Sequence, residues 1–147
     1  MMTAERLFNE TRLLFHALKE WAESLHAGSD LAVPMRAVLE LLLLGPAATV
    51  PEMARARGVS RQHIQQQVDR LLDRSLVERA DNPAHRRSPK IALTDAGRAL
   101  IQSMRADELN ALADVQAGVS DAAIADAARV LSLWRAALKR DTARRVP

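Results

Sequence analysis

"GVSRQHIQQQVDRLLDRSLVERADNPAHRRSPKIALTDAG", residues 58–97, holds a helix start, a helical stripe and a basic turn in immediate succession. Ser60 is a good N-cap residue, two positions past Gly58. Ile64, Val68, Leu71 and Leu72 then recur at the spacing of a helix with one buried face. Just upstream, "TVPE" at 49–52 sets Thr49 three residues before Glu52, the arrangement in which each side chain satisfies the other's backbone amide at a helix start. That helix should stop at Gly58, and two short helices meeting at a glycine turn predict a helix-turn-helix. Downstream, Leu76-Val77 and Ile91-Ala92-Leu93 flank 13 polar, proline- and arginine-bearing residues. Two short apolar runs around such a segment predict a β-hairpin, with His85, Arg86 and Arg87 at its tip.

Outward from this centre the chain reads as helix. Leu7, Leu14, Leu18, Trp21 and Leu25 make one long stripe over residues 4–26, ended by Gly28-Ser29-Asp30. A second helix is predicted from Pro34 to Gly45-Pro46; its run Val38, Leu39, Leu41, Leu42, Leu43 and Leu44 is leucine-rich rather than β-branched, and it is expected to be deeply buried. Thr94-Asp95 opens a long helix with Leu100, Ile101, Met104, Leu109, Leu112, Val115 and Val119 as its apolar positions and Gly118 near its end. A last helix follows Ser120-Asp121, with Ile124, Ala128, Leu131, Trp134 and Leu138 as its apolar positions, before a basic tail "KRDTARRVP" expected to fray. The fold class is mainly α with one small hairpin.

The 147 residues suit a single domain, and the absence of cysteine removes disulfides, thiolate metal sites and thiol redox switches. The longest apolar stretch, residues 37–45, contains Glu40 and is far short of the roughly 20 residues a membrane span needs. Glu5, Arg6 and Glu10 stand where a secretory leader would be apolar, so a soluble, cytoplasmic protein with no membrane partner is expected. Net charge is only +3, but residues 55–90 hold nine Lys/Arg against four Asp/Glu. A basic segment of this kind is either a solvated face or a phosphate-binding surface.

On the second helix of the predicted pair, Gln62, Gln66 and Asp69 point away from the core, flanked by Arg61, His63, Gln65 and Arg70. Glutamine pairs with adenine and arginine with guanine in the major groove, so this face suits base readout; a plain solvated surface is the competing reading. Arg86 and Arg87 on a protruding ribbon suit a narrow, electronegative minor groove, with Lys90 and Arg79 nearer the phosphates; a merely solubilising turn competes here too. No catalytic or cofactor pattern appears. The histidines, His16, His26, His63 and His85, lack short ligand spacing, the glycines form no phosphate loop, and there is no G-x-S-x-G elbow, so neither an enzyme nor a metal or cofactor site is expected.

The order of elements resembles the MarR family of bacterial transcriptional regulators. The most specific parts are residues 58–80, similar to that family's recognition helix and first wing strand, and the "RR…ALT…G" wing and exit at 86–97. The resemblance implies a winged helix-turn-helix at 33–94 and dimerisation helices at 1–30 and 95–147. It also implies a homodimer that sets two recognition helices on a pseudo-palindromic operator, about 34 Å apart if they read successive major grooves. It places Ser60, Arg61, Gln62 and Gln66 on base or phosphate contacts and Arg86 and Arg87 on the wing tip. His85 stands where many members carry an aspartate that holds one arginine.

Leu7, Leu14 and Leu18 with Ile124, Leu131, Trp134 and Leu138 offer two apolar stripes for such a dimer, although a monomer could bury them internally. The family's effector crevice makes Arg12, His16 and Trp21 candidate lining residues for a small molecule, with core packing the competing account of Trp21. The expected function is a ligand-responsive repressor binding double-stranded DNA. The alternatives are a winged-helix module that binds protein instead of DNA and, last, an enzyme whose catalytic cluster forms only on folding.

Overall fold

A computed structural model describes residues 3–116 and 118–146. The elements in order are α1 (Thr3–Leu25), α2 (Val33–Leu44), α3 (Val50–Arg57), α4 (Arg61–Asp73), β1 (Val77–Ala80), β2 (Lys90–Leu93), α5 (Asp95–Val115) and α6 (Asp121–Arg145). The chain forms two compact units, one running through Leu109 and the other from Asn110 onward. The first holds the winged helix-turn-helix together with α1 and most of α5; the second is the end of α5 and α6.

Local chemistry sets the helix boundaries. The Thr49 hydroxyl accepts from the Glu52 amide at 3.3 Å while the Glu52 carboxylate accepts from the Thr49 amide at 2.8 Å, so α3 starts on a reciprocal cap. The Ser60 hydroxyl accepts from the His63 amide at the start of α4. Both helices end the same way. At α3, Gly58 is left-handed, with Val59 N–H donating to the Ala54 carbonyl; at α4, Ser75 takes that conformation (φ 56°), with Leu76 N–H donating to Leu71. A serine where glycine is usual carries backbone strain that a sequence pattern does not reveal.

The core of the first unit is built from one face each of α2 to α5 and the hairpin: Val38, Leu39 and Leu42 of α2, Met53 of α3, Ile64, Val68 and Leu71 of α4, Val77 and Ile91 of the hairpin, and Ile101 and Met104 of α5. The expectation of a deeply buried α2 holds for that face only. Leu41 and Leu43 are half-buried and Leu44 is 68% exposed, because a helix of consecutive leucines presents side chains all round while its neighbours cover one side. The basic tail does not fray within the described residues: α6 continues to Arg145, whose guanidinium pairs with Asp141 one turn earlier, and Arg144 and Arg145 complement the helix dipole.

The hairpin is antiparallel, Val77 opposite Leu93 and Ala80 opposite Lys90. A third segment joins it. Ala48 and Ile91 exchange backbone hydrogen bonds of 2.8 and 3.2 Å, tying the entry of α3 to β2 and so fixing the helix pair against the wing. At the exit, Gly97 lies so close to Leu76 that a Cβ there would sit 1.9 Å from the Leu76 carbonyl oxygen.

Candidate nucleic-acid interface

The wing tip is held by Asn82, a residue the sequence reading did not single out. It is 9% exposed, and its side-chain amide donates to the Ser88 carbonyl at 2.9 Å across the base of the tip. Two successive turns complete it, His85 N–H to the Asn82 carbonyl and Ser88 N–H to the His85 carbonyl, both 3.0 Å. His85, Arg86 and Arg87 are all exposed on this frame. An asparagine before a proline in a polar turn is the signal that could have found it.

The adjacent arginines face different hollows. Arg87 lines a groove of about 530 Å³ between α4 and the wing, together with Arg61, Gln62, Gln65 and Arg79. Arg86 lines a hollow of about 430 Å³ on the wing with Asp81, Asn82 and Pro83. The first groove therefore gathers three guanidinium groups and two amides, with no carboxylate among its described lining residues, beside the positive end of the α4 dipole. It can accept a polyanion edge-on while offering amides to a flat hydrogen-bonding partner.

The remaining predicted residues distribute as follows. Gln66 and Arg70 are exposed on α4. Gln65 donates to Asp69 at 2.8 Å, which orients its amide and satisfies one carboxylate oxygen on that face. Ser60 is exposed and serves as the cap. Lys90 is half-buried and lines a separate hollow with Glu52, Met53 and Pro46; His63 is half-buried on the other flank of α4.

His63 belongs to another groove, of about 490 Å³, lined also by Phe15, His16 and Lys19 of α1, Arg36 and Glu40 of α2 and Arg57 of α3. Of Arg12, His16 and Trp21, the three candidates for a small-molecule crevice, only His16 lines this groove. Arg12 is exposed on α1 and Trp21 is half-buried, and neither is among the residues lining this groove. Among the described residues no cluster of three His, Asp or Glu could hold a metal ion, and no helix is long and apolar enough to cross a membrane.

Of the residues expected at a dimer seam, Leu14, Leu18, Ile124 and Leu138 are exposed, and Leu7, Leu131 and Trp134 are half-buried. Neither α1 nor α6 has a fully buried residue.

Comparison with known proteins agrees with this geometry. Residues 31–88 match the sequence profile of the MarR family. The chain is also similar to uncharacterised proteins of Mycobacterium bovis and Mycobacterium tuberculosis, 43% identical over 58 residues; the match spans 40% of this chain and 41% of each relative. Among solved structures, a MarR family transcription regulator is 31% identical with a TM-score of 0.77, covering 97% of this chain and 94% of its own. A MarR family protein from Bacillus stearothermophilus superposes with a TM-score of 0.81 at 22% identity, covering 93% of this chain and 96% of its own. Staphylococcus aureus MarR, solved with salicylate and kanamycin, does so at 0.79 with 14% identity and 93% of each chain; these last two speak to the fold alone. With a capped helix pair, a three-point wing anchor and a relative at 31% identity along nearly its whole length, the chain belongs to the MarR family of transcription regulators.

Proposed function

We propose that this protein is a cytoplasmic, homodimeric repressor that binds a pseudo-palindromic site on double-stranded DNA and is regulated by a small molecule. The observation that carries the reading is the groove gathering Arg61, Gln62, Gln65, Arg79 and Arg87 between α4 and the wing. In this reading the α4 amides and Gln66 meet base edges, and Arg87 and Arg79 bind the phosphates alongside. Arg86 and His85, on the tip, reach the neighbouring minor groove, while Ser60, Arg70 and Lys90 lie towards the backbone. His63, turned to the second groove, stands at the margin of this surface.

Residues 33–94 act as the DNA-binding part and residues 1–30 and 95–147 as the dimerisation part. The support for a second copy is the set of apolar side chains that α1 and α6 each leave uncovered, since exposed leucines on long helices are what a subunit interface removes from water. The groove lined by His16, Arg36 and Arg57 is the effector site in this reading, the salicylate bound by the Staphylococcus aureus neighbour being an example of a small acidic aromatic.

Fluorescence anisotropy on duplexes from the protein's own upstream region tests the assignment. Arg87→Ala should weaken binding on every sequence and reduce the salt dependence of log K by about one ion. Gln66→Ala should cost about 1–3 kcal/mol at one base position and little elsewhere. Absence of sequence preference in the parent protein at low salt, or equal losses on all duplexes for both variants, would overturn the reading.

A further inference from the structure

The second groove contains a group that works against an anionic ligand. Arg36 is a buried cation, its side chain 9% exposed, and its ion-pair partner is Glu40, one turn along α2 at 3.8 Å. Glu40 lines the groove with its side chain 37% exposed, so its carboxylate meets both the buried guanidinium and whatever enters. Around it stand charges from every packed element: Arg36 on α2, Arg57 on α3, and Arg105 and Glu108 on α5. His16 and Lys19 of α1 and His63 of α4 complete the groove wall. Glu108 in turn accepts from or pairs with the nearly buried His26 at 2.9 Å, which fixes it in place as a second carboxylate near the first.

We propose that Glu40 is the selectivity group of this groove: as a carboxylate it neutralises Arg36 and repels anions, and on taking a proton it releases Arg36 to bind an anionic aromatic ligand, so that the anion enters together with one proton. Burial and the neighbouring Glu108 raise the proton affinity of Glu40 above that of an ordinary glutamate, against the pull of Arg36, Arg57 and Arg105. An anion seated near Arg36 raises it further. Ligand affinity is therefore greatest where Glu40 is already protonated and declines as pH rises through its raised pKa. A shift of about one pKa unit on binding corresponds to about a tenfold change in affinity across that window. The inference rests on the reading of this groove as a ligand site.

The test uses calorimetry on the full chain with two probes. Benzenesulfonate stays ionised from pH 5 to pH 8, and benzenesulfonamide is its neutral counterpart. The expected result is that benzenesulfonate binds more tightly at pH 5 than at pH 8, by up to about tenfold. Proton uptake, read from buffers of different ionisation heat, should accompany binding between those limits, and the sulfonamide should show neither effect. Glu40→Gln should bind the sulfonate more tightly than the parent at pH 8 and lose most of the pH dependence and the proton uptake. Because histidine side chains also gain charge over this range, His16→Gln and His63→Gln serve as comparisons and should keep most of the parent's pH dependence.

Proton uptake in the parent does not depend on any variant folding. Sulfonamide binding with a pH-independent sulfonate affinity, or a Glu40→Gln protein that keeps the parent's dependence, overturns the role of Glu40 while leaving the groove a ligand site. Failure of both probes to bind at every pH overturns the groove reading and this inference with it.

Discussion

Gly97→Ala is the sharpest test of how the wing is seated. A methyl group at this position would lie 1.9 Å from the Leu76 carbonyl oxygen, 2.8 Å from its carbon and 3.2 Å from Cα, so the obstacle is main chain and no rotamer change relieves it. The carbonyl must retreat by roughly 1.5 Å to reach ordinary contact distance. That movement breaks the Thr94 N–H bond to the same oxygen, 3.2 Å long, and strains the Leu76 N–H bond to Leu71 that closes the end of α4. Overpacking of this kind costs up to about 3 kcal/mol and the lost hydrogen bond about 1 kcal/mol, while alanine regains up to about 1 kcal/mol over glycine in a helix. The net expectation is a loss of about 3 kcal/mol, or roughly 10 °C in melting temperature for a chain of this size. Urea and thermal unfolding at matched protein concentration measure it. Gly28→Ala, where a Cβ meets nothing within 4 Å, is the control and should stay within about 0.5 kcal/mol of the parent. A Gly97→Ala protein as stable as that control would refute the close approach of α5 to the entry of β1.

Two further expectations concern assembly and pH. Leu14→Glu combined with Leu18→Glu places carboxylates on the uncovered stripe of α1; light scattering should then report the mass of one chain, 16.2 kDa, and a persistent dimer would remove α1 from the interface. Asp30 is held below the usual carboxylate range by hydrogen bonds and charge from Arg74, at 2.8 and 2.9 Å, and Glu52 by its bonds to Thr49. The unfolded chain therefore binds more protons at these sites, and the stability they contribute is present above the ordinary carboxylate range and lost as pH falls through their depressed values. Asp30→Asn with Glu52→Gln should flatten the acid limb of a stability-against-pH curve; an unchanged limb contradicts both assignments. Glu40 has the opposite sign, its contribution being lost as pH rises.

The helices were legible because their signals are local. Thr49, Glu52, Gly58, Ser60 and Ser120 act within four residues, and the apolar spacing of α1, α4, α5 and α6 follows from 3.6 residues per turn. The glutamine- and arginine-bearing face of α4 followed from the same periodicity, and the exposed arginine tip from the polar segment between two short apolar runs. Burial around α2 was not legible, because Leu41, Leu43 and Leu44 look like Leu39 and Leu42 until neighbouring helices choose a side.

The sequence by itself determined the element order, the helix caps, the turn between α3 and α4 and the concentration of positive charge on one segment, since each depends on residues a few positions apart. Only the tertiary structure decided that Arg86 and Arg87 part to different hollows and that Ala48 pins β2. It also decided that His63 joins Glu40 and Arg36 rather than the wing groove. Those outcomes depend on packing between segments tens of residues apart, where the direction of a side chain is set by the element opposite it rather than by its neighbours in the chain.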